Sequence, residues 1–343
     1  MNLRKLAVLA DLSPSAVSLA LRDSPKISVA TRERVRLLAH KNGYVPDAKI
    51  VSLMRSLRQS RAIRQTACFG VVSLYDDSRP WERSRHLKRI YEGMVRRARE
   101  LGYRLEPIWL RAPGMTYRRV RSILDTRGIE GLLCFGSGAL EDDFPADLDH
   151  YAIVTIGLSI RTPLHRVTSH FYSDTITVLN RLHQLGYRRP GLVLGRYEQA
   201  RTSHIHAAAY LGWCDRMLGS APAVPTLCLD RVEEAPLIEW LAGQKPDAVV
   251  FVHLDDTLKE LQTVLKKNRV RVPKDLGVAV LSHIVDGTGF SGMQQNQPVM
   301  GAWAVELLAA RIANRDFGFP KNPRIEMVES EWVEGASLRQ VNC

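Results

Sequence analysis

The chain has 343 residues, of which 45% are hydrophobic, enough for a small domain and a larger body with one or two cores. No apolar run reaches the roughly 18 residues of a membrane span and no signal peptide precedes the first predicted helix, so we expect a cytoplasmic protein without membrane contacts. Lys and Arg exceed Asp and Glu by 12, and residues 1–65 hold 13 basic and four acidic side chains; this concentration favours nucleic acid as a partner over the alternative, a solvated basic run.

The first residues predict two short helices joined by a tight turn. An apolar stripe at helical spacing, with Asn2 as a cap, marks the first helix; its members are Leu3, Leu6, Ala7 and Ala10. The second helix should begin at Ser13 and Pro14, because a serine oxygen caps free backbone N–H groups and proline lacks one. Only Asp11 and Leu12 separate the helices, and aspartate tolerates the left-handed backbone that such a turn requires.

The outer face of the second helix is short and almost uncharged. Its side chains directed away from the predicted core are Ser15, Ser18, Leu19 and Arg22. Such a face suits a helix that enters a groove of DNA, although a plain surface helix is an alternative. A third helix is predicted from Ser28 to the stop signal Asn42–Gly43, which makes residues 1–46 an all-α helix-turn-helix head.

From residue 66 onward, patterns typical of buried strands alternate with patterns typical of helices. The strand-like stretches are TACFGVVSL, YRLEPIWL, IEGLLCFG, YAIVTIG, GLVLG, DAVVFVH and LGVAVLS. The alternation predicts parallel sheets covered on both faces, and about ten strands indicate a body of two α/β lobes with a cleft between them. An enzyme is one competing interpretation, but the sequence lacks the glycine-rich nucleotide motifs and the G-x-S-x-G elbow, and we expect no cofactor.

The five cysteines form no C-x-x-C pair and lie mostly in apolar stretches, which favours buried, reduced thiols over disulfides or a metal site. His204 and His206 could bind a metal, but no third ligand is in view and none is expected.

Five separated stretches resemble the lactose-repressor (LacI/GalR) family in the family's order. They are LAVLADLSPSAVSLALRDSPKISVATRERVRLLAHKNGYVP in the head and GYRRPGLVLG, KPDAVVFVHLDD, VRVPKDLGVAVLS and MQQNQPVMGAWAVELLAARI in the body. The resemblance implies a transcriptional repressor that binds palindromic operator DNA as a homodimer. It also implies a periplasmic-binding-protein-like body over residues 66–343, with an N-lobe near 66–160 and 291–322 and a C-lobe near 161–290 and 323–343. A small-molecule effector, such as a sugar or a related metabolite, would bind between the lobes. A ligand-binding protein without DNA activity is the alternative, which the intact head argues against.

By this resemblance, the base-reading positions are Pro14, Ser15, Ser18, Leu19 and Arg22, and the phosphate-contacting positions are Ser28, Thr31 and Arg32. Pro14 and Leu19 depart from the family pattern. Neither can make the bidentate hydrogen bonds that distinguish bases best, but both can pack against a thymine methyl group. Direct readout is therefore expected to depend on Ser15, Arg22 and apolar contact.

The segment 47–65 corresponds to the family's hinge helix. Its minor-groove positions are Ile50, Leu53, Met54, Arg55 and Arg58, and Leu53 matches the leucine that wedges between base pairs. The segment departs from the family by running about eight residues longer, with arginines at positions 55, 58, 61 and 64. On a helix these arginines form a slowly drifting basic stripe suited to the DNA backbone; a solvated linker is the alternative.

The effector-lining positions of the family correspond to Leu74, Ser137, His206, Asp255, Ser282 and Gln295. Charged groups that commonly bind sugar hydroxyls are replaced here, because their places fall at His206, Leu254–Asp255, Ser282 and His170. We therefore expect a ligand larger and less polar than a simple hexose, or a regulator that needs none. His206 and Asp255 are the expected polar contacts, with a plain surface histidine as the alternative for His206.

Overall fold

A computed structural model describes residues 3–21, 24, 26–44, 67–139, 142–219, 221–252, 257–283 and 289–339. The chain folds as two compact units, Met1–Gln65 and Thr66–Cys343, here called the head and the body. None of the described helices is both long enough and apolar enough to cross a membrane.

The head contains the three predicted helices, Leu3–Ala10 (α1), Pro14–Leu21 (α2) and Val29–Lys41 (α3). The turn before α2 has the expected form, since Asp11 has a φ of +51° and the Ser13 hydroxyl accepts the Ala16 N–H at 3.1 Å. Ser28 caps α3 by accepting the Thr31 N–H at 3.3 Å. Seven buried apolar side chains from all three helices form the core: Leu6, Ala7, Ala10, Val17, Ala20, Val35 and Ala39. The proposed cap Asn2 lies outside the described residues.

The body consists of two lobes, each built on a six-stranded sheet. The first sheet has the order β11-β5-β4-β3-β1-β2 and contains Cys68–Ser73 (β1), Arg104–Trp109 (β2), Gly131–Cys134 (β3), Ala152–Ile156 (β4), His165–Ser169 (β5) and Ile325–Val328 (β11). The second has the order β12-β10-β9-β8-β6-β7 and contains Pro190–Gly195 (β6), Leu227–Leu229 (β7), Ala248–Val252 (β8), Gly277–His283 (β9), Ser291–Gln294 (β10) and Glu331–Val333 (β12).

Helices cover both faces of each sheet, as predicted for parallel sheets. They are Arg85–Glu100 (α4), Tyr117–Thr126 (α5), Phe171–Gln184 (α6), Arg196–Arg201 (α7), Ile205–Leu218 (α8), Glu234–Gln244 (α9), Thr257–Lys267 (α10) and Gln297–Asn314 (α11). Helices α4 and α11 pack on one face of the first sheet and α5 on the other, while α6 and α8 face α9 and α10 across the second sheet. Short 3-10 helices occur at Pro80–Glu82 and Ala146–Leu148.

The strands of both sheets run parallel with one exception, β12, which pairs antiparallel with β10. Both lobes repeat the same doubly wound order: the second strand is added on one side of the first and the third strand on its other side, so the order of the strands reverses at the first strand. In such sheets, ligands bind at the carboxyl ends of the strands, at this reversal. The topology therefore predicts a ligand site between the two lobes, at the carboxyl ends of the strands.

Three strands lie on the other side of the expected lobe boundaries. Strands β5 and β11 were expected in the C-lobe but belong to the first sheet, and β10 was expected in the N-lobe but belongs to the second. The boundary was misplaced because β5 reads His-Arg-Val-Thr-Ser, which does not resemble a buried strand. Its polar members are buried through hydrogen bonds: the Arg166 guanidinium donates to three backbone carbonyls, and Nδ1 of His165 accepts the Arg324 N–H at 2.8 Å.

Two glycines allow α4 and α11 to cross in close contact. A Cβ on Gly93 would lie 2.0 Å from the carbonyl oxygen of Pro298, and a Cβ on Gly301 would lie 2.1 Å from the carbonyl oxygen of Ile90. Because no side chain fits into such distances, glycine is required at both positions. This contact holds α11, which follows the crossover from the second lobe, firmly on the first.

Candidate functional site

The head presents the predicted DNA-reading face on α2. Pro14 and Ser15 are exposed, Ser18 and Leu19 are half-buried, and Val17 and Ala20 point into the core. At the start of α3, the Ser28 and Thr31 hydroxyls lie 2.8 Å apart beside the half-buried Arg32. The remaining predicted DNA contacts lie outside the described residues: Arg22 and the hinge positions Ile50, Leu53, Met54, Arg55 and Arg58.

The body has a cavity of about 590 Å³, measured to its open mouth, between the two lobes. It lies at the carboxyl ends of both sheets, since Gly157 follows β4, Ser169 ends β5, Val252 ends β8 and Gln295 follows β10. Its apolar wall contains Leu87, Ile90, Phe135, Ile156, Phe171 and Met300. Its polar groups include His86, Thr168, Glu198, Arg201, His206 and Gln295.

His206 presents a hydrogen-bond acceptor to this cavity. Nδ1 of His206 lies 2.9 Å from the Thr175 hydroxyl, which donates its proton to the Phe171 carbonyl at 2.8 Å. Because that proton is already used, Nδ1 carries the hydrogen and Nε2 keeps a free electron pair. Burial lowers the pKa of His206 to about 4, so the ring is neutral near pH 7. With 2% exposure, His206 is not a surface histidine.

His86 presents the opposite group, a donor. The Gln294 side-chain amide donates to the Gln295 carbonyl at 2.8 Å and to Oε1 of Gln297 at 3.1 Å, which fixes the Gln297 amide. Nε2 of Gln297 then donates to Nδ1 of His86 at 3.4 Å, so the ring proton of His86 is on Nε2. Burial, followed by the charges of Arg201 and Arg89, lowers the pKa of His86 to about 4 and keeps it neutral.

Two hydroxyls of β5 and a short helix add further polar groups. Thr168 is 1% exposed, and its hydroxyl has no hydrogen-bond partner among the described residues; the Ser169 hydroxyl lies 3.4 Å from the Met300 sulfur. Helix α7 supplies Glu198 and Arg201, which both line the cavity. Burial raises the pKa of Glu198.

A hydrogen bond between the lobes closes the cavity on the side of α7. The Tyr197 hydroxyl, on the second lobe, donates to the Ser137 carbonyl of the first lobe at 3.1 Å. Burial raises the pKa of the neighbouring Tyr75 phenol to about 12, which keeps that group protonated. At this point the two lobes are therefore connected by a hydrogen bond between uncharged groups.

The three chain crossovers between the lobes are joined by hydrogen bonds. His170 follows β5, Asn296 follows β10 and Glu329 follows β11. Nδ1 of His170 lies 2.9 Å from the Glu329 carboxylate, and the Asn296 amide donates to the Glu329 carbonyl, also at 2.9 Å. The Ser330 hydroxyl donates to the buried Asp174 carboxyl at 2.9 Å. Opening or closing of the lobes would act on these contacts.

Of the predicted effector positions, the structure brings His206 and Gln295 together in the cavity wall. Leu74 does not line this cavity, because it packs into the apolar core between the first sheet and α5. Ser137 does not line it either: its hydroxyl donates to the Asp142 carboxylate, and its N–H is bound by the Ser159 hydroxyl at 3.0 Å. Asp255 lies outside the described residues, and Ser282 lies in β9 with its side chain outside them.

The premise that an arginine is missing from the cavity is wrong. Arg201 is present on α7 rather than at the position of His206, where the resemblance placed it. Sequence analysis also missed His86, Thr168 and Glu198. The six-residue α7 has no recognisable pattern, and His86 lies inside an otherwise ordinary amphipathic helix. Thr168 could have been recognised as a hydroxyl near the carboxyl end of a strand, where ligands bind, but β5 was not predicted as a strand.

The four described cysteines are unpaired, and only two of them, Cys134 and Cys214, are buried as expected, while Cys68 and Cys228 are half-buried. Cys68, Cys134, Cys214 and Cys228 are free cysteines. Within the described ranges, no group of three or more His, Cys, Asp or Glu side chains is placed to hold a metal ion.

Comparison with known proteins gives one family match and many structural matches. Residues 179–338 match the family described as periplasmic binding protein-like domain. No curated protein matches the sequence significantly. Solved structures similar to this chain include a transcriptional regulator CelR–cellobiose complex, with a TM-score of 0.60 and 18% identity over 98% of this chain and 99% of that one.

Two further structures extend this similarity. The lac repressor dimer bound to operator and the anti-inducer ONPF has a TM-score of 0.59 and 15% identity over 99% of both chains. A transcription regulator like protein from Staphylococcus haemolyticus has a TM-score of 0.59 and 16% identity over 81% of this chain and 100% of that one. These matches confirm the expected fold, a helical head followed by a two-lobed periplasmic-binding-protein-like body.

Proposed function

We propose that this chain is a DNA-binding transcriptional regulator of LacI/GalR type whose DNA affinity is set by a small molecule bound between the lobes of the body. The observation that carries this proposal is the presence, in one chain, of a helix-turn-helix head and a two-lobed body with a polar cavity. The structures with this combination that are described above are transcriptional regulators, one with cellobiose and one with operator DNA.

The head has the features required for binding DNA. Residues 1–65 carry a net charge of +9, which would attract phosphate groups and release their counterions. The exposed Pro14 and Ser15 lie at the start of α2, and the N-terminal end of a recognition helix is the part that reaches base edges. Capping at Ser28 orders the first turn of α3, which carries the predicted contacts to DNA phosphates, Ser28, Thr31 and Arg32.

We further propose that the protein acts as a homodimer and represses transcription. One head of this size reads only a half-site, so a palindromic operator requires two copies in symmetric contact. The lac repressor structure with operator, similar over the whole length of this chain, is a dimer.

Two other functions receive less support. An enzyme with this body would have no use for a basic helix-turn-helix head, and the cavity contains two neutral histidines whose Nδ1 atoms are already engaged. A ligand-binding protein without DNA activity would not need Ser13 and Ser28 as caps that order the head.

The test uses the full chain and a duplex selected from random sequence. Fluorescence anisotropy should show tight binding to the selected duplex, with affinity falling by roughly 10³ between 50 and 200 mM salt if about six phosphates are contacted. Arg32→Ala should weaken binding to all sequences alike, whereas Arg22→Ala should reduce the preference for the selected duplex. Arg216→Ala, on an exposed face of α8 in the body, is the matched control and should change neither. Binding that shows no sequence preference, or no dependence on salt, would contradict the proposal.

A further inference from the structure

Arg201 is a cation in the cavity wall that forms no ion pair with a described side chain, although the Glu198 carboxyl on the same helix is close enough to feel its charge. Elsewhere in the body, buried guanidinium groups are fully engaged: Arg311 pairs with Asp316 at 3.0 Å, and Arg166 donates to three carbonyls. Arg201 makes no ion pair with any described residue, although Glu198 lies one turn away on the same helix. Its guanidinium carbon lies 5.4 Å from the centre of the Tyr197 ring, a cation–π contact.

The Arg201 guanidinium extends from the second lobe to the first. One of its terminal nitrogens lies 3.6 Å from the position that a Cβ on Gly157 would occupy, and Gly157 directly follows β4 of the first lobe. Its charge also reaches the His86 ring, where it lowers the pKa of that imidazole. Arg201 and His86 therefore face the same space, and a ligand in the cavity would meet both.

The uncharged groups around this space are suited to hydroxyls. His206 offers an acceptor and His86 a donor, as their Nδ1 contacts require. The Thr168 hydroxyl is buried and has no hydrogen-bond partner among the described residues. An unpaired buried hydroxyl costs free energy, and a ligand that forms a hydrogen bond with it would remove this cost. Phe135 and Phe171 provide flat apolar surfaces that can pack against the C–H face of a ring.

On the proposed function, in which this cavity holds the effector, we propose that the effector is a small polyhydroxylated carboxylate. Its carboxylate would pair with Arg201, and its hydroxyls would meet Nε2 of His206, the N–H of His86 and the Thr168 hydroxyl.

A carboxylate is favoured over a neutral polyol for an electrostatic reason. A guanidinium that loses water when a ligand fills the cavity needs a counter-charge, and a planar carboxylate can accept two parallel hydrogen bonds from it. Glu198 is the one acid among the described lining residues, and it does not supply this pairing. Its carboxylate is an acceptor for a ligand hydroxyl on the same side of the cavity.

The test compares acids with neutral compounds that differ at one carbon. Calorimetry with the full chain should use D-glucuronate against D-glucose, D-galacturonate against D-galactose, and D-gluconate against D-glucitol. At least one acid should bind 100-fold or more tightly than its neutral partner. Arg201→Gln should reduce this preference to below threefold, while Arg201→Lys should retain part of it. Arg216→Gln is the control, and circular dichroism checks that each variant is folded.

Three results would overturn the proposal: no acid binds, a neutral partner binds as tightly as its acid, or Arg201→Gln keeps the preference. Failure here is separable from failure of the proposed function. If operator binding persists and a neutral compound releases or strengthens it, the chain is still a ligand-controlled regulator and only the ligand class is wrong. If the protein does not bind DNA, the regulator function fails whatever the calorimetry shows.

Discussion

Replacing Asp174 by asparagine should stabilise the body at neutral pH and leave it unchanged in acid. Asp174 is 1% exposed in the first turn of α6, beside the crossovers that connect the lobes. The Ser330 hydroxyl donates to its Oδ2 at 2.9 Å, whereas Oδ1 has no partner among the described residues. Burial is the main cause that raises the pKa of Asp174 from 3.8 to about 7; Glu329 raises it further, and the Ser330 hydroxyl and His170 oppose the rise.

The direction of the pH dependence follows from proton binding. Between pH 4 and pH 7 the folded protein holds the Asp174 proton, while the unfolded chain releases it near pH 3.8. The contribution of this group to stability is therefore fully present below pH 3.8, falls as the pH rises and is lost above about pH 7. The pKa rise corresponds to roughly 4 kcal/mol between the two protonation states. Asparagine removes the charge but leaves one amide donor without an acceptor, at a cost of about 1–2 kcal/mol, so a net gain of about 2 kcal/mol is expected.

Melting temperatures measured by tryptophan fluorescence at pH 8 and pH 4.5 test this reasoning. Asp174→Asn should raise the melting temperature at pH 8 by about 4–8 °C, and the difference should shrink toward zero at pH 4.5. Asp215→Asn, on an exposed position of α8, is the control and should have no effect at either pH. An Asp174→Asn variant that is less stable at pH 8 than the parent would show that the ionised carboxylate is stabilising, and the reasoning would be refuted.

Three further predictions concern helix contact, lobe closure and DNA bending. In thermal unfolding, Gly301→Ala should destabilise the body by about 3 kcal/mol, because the added Cβ would collide with the backbone of α4. Gly212→Ala on α8 is the control: a Cβ there meets nothing within 4 Å, so this variant should be as stable as the parent or slightly more stable. Tyr197→Phe removes the hydrogen bond between the lobes, which is worth about 1 kcal/mol, and should increase the radius of gyration of the unliganded protein in small-angle X-ray scattering. Tyr172→Phe, at an exposed position, is the control and should leave the radius of gyration unchanged. Leu53→Ala should reduce operator bending in circular-permutation gel shifts without changing body stability; equal bending would show that this hinge does not use a leucine wedge.

The fold was largely predictable because local signals and packing agree. Residues that cap helices, apolar stripes at helical spacing and buried strand runs placed the head and most of the body correctly. The missed strand β5 depends for its burial on tertiary hydrogen bonds rather than on apolar side chains, while the missed strands β11 and β12 are short and partly exposed. Arg166 in β5 is buried because three carbonyls of the preceding loop, between β4 and β5, accept hydrogen bonds from its guanidinium, and the apolar pattern of the sequence does not show this.

The candidate site was predictable only in part, for a related reason. His206 and Gln295 were found through positions that a family resemblance can align. Arg201 reaches the cavity from a short helix that directly follows β6. Its place in the cavity wall depends on the direction of this helix, which no sequence motif indicates. Leu74 was misplaced because the end of β1 turns into the core on the α5 side. A resemblance transfers the position of a residue along the chain, but not the direction of its side chain.

The arrangement of the cavity determines how a ligand can act on the rest of the protein. Arg201 and His206 belong to the second lobe, while His86 and Thr168 belong to the first, so a ligand that contacts all four stabilises the closed arrangement of the lobes. A ligand changes an equilibrium only by its difference in affinity for the two states, and an open body would separate these groups. On the proposed function, linkage then requires that operator DNA change the affinity for the ligand by the same factor as the ligand changes the affinity for the operator. Removing Arg201 should therefore reduce both effects together, whereas loss of a phosphate contact at Arg32 should weaken DNA binding and leave the coupling factor unchanged.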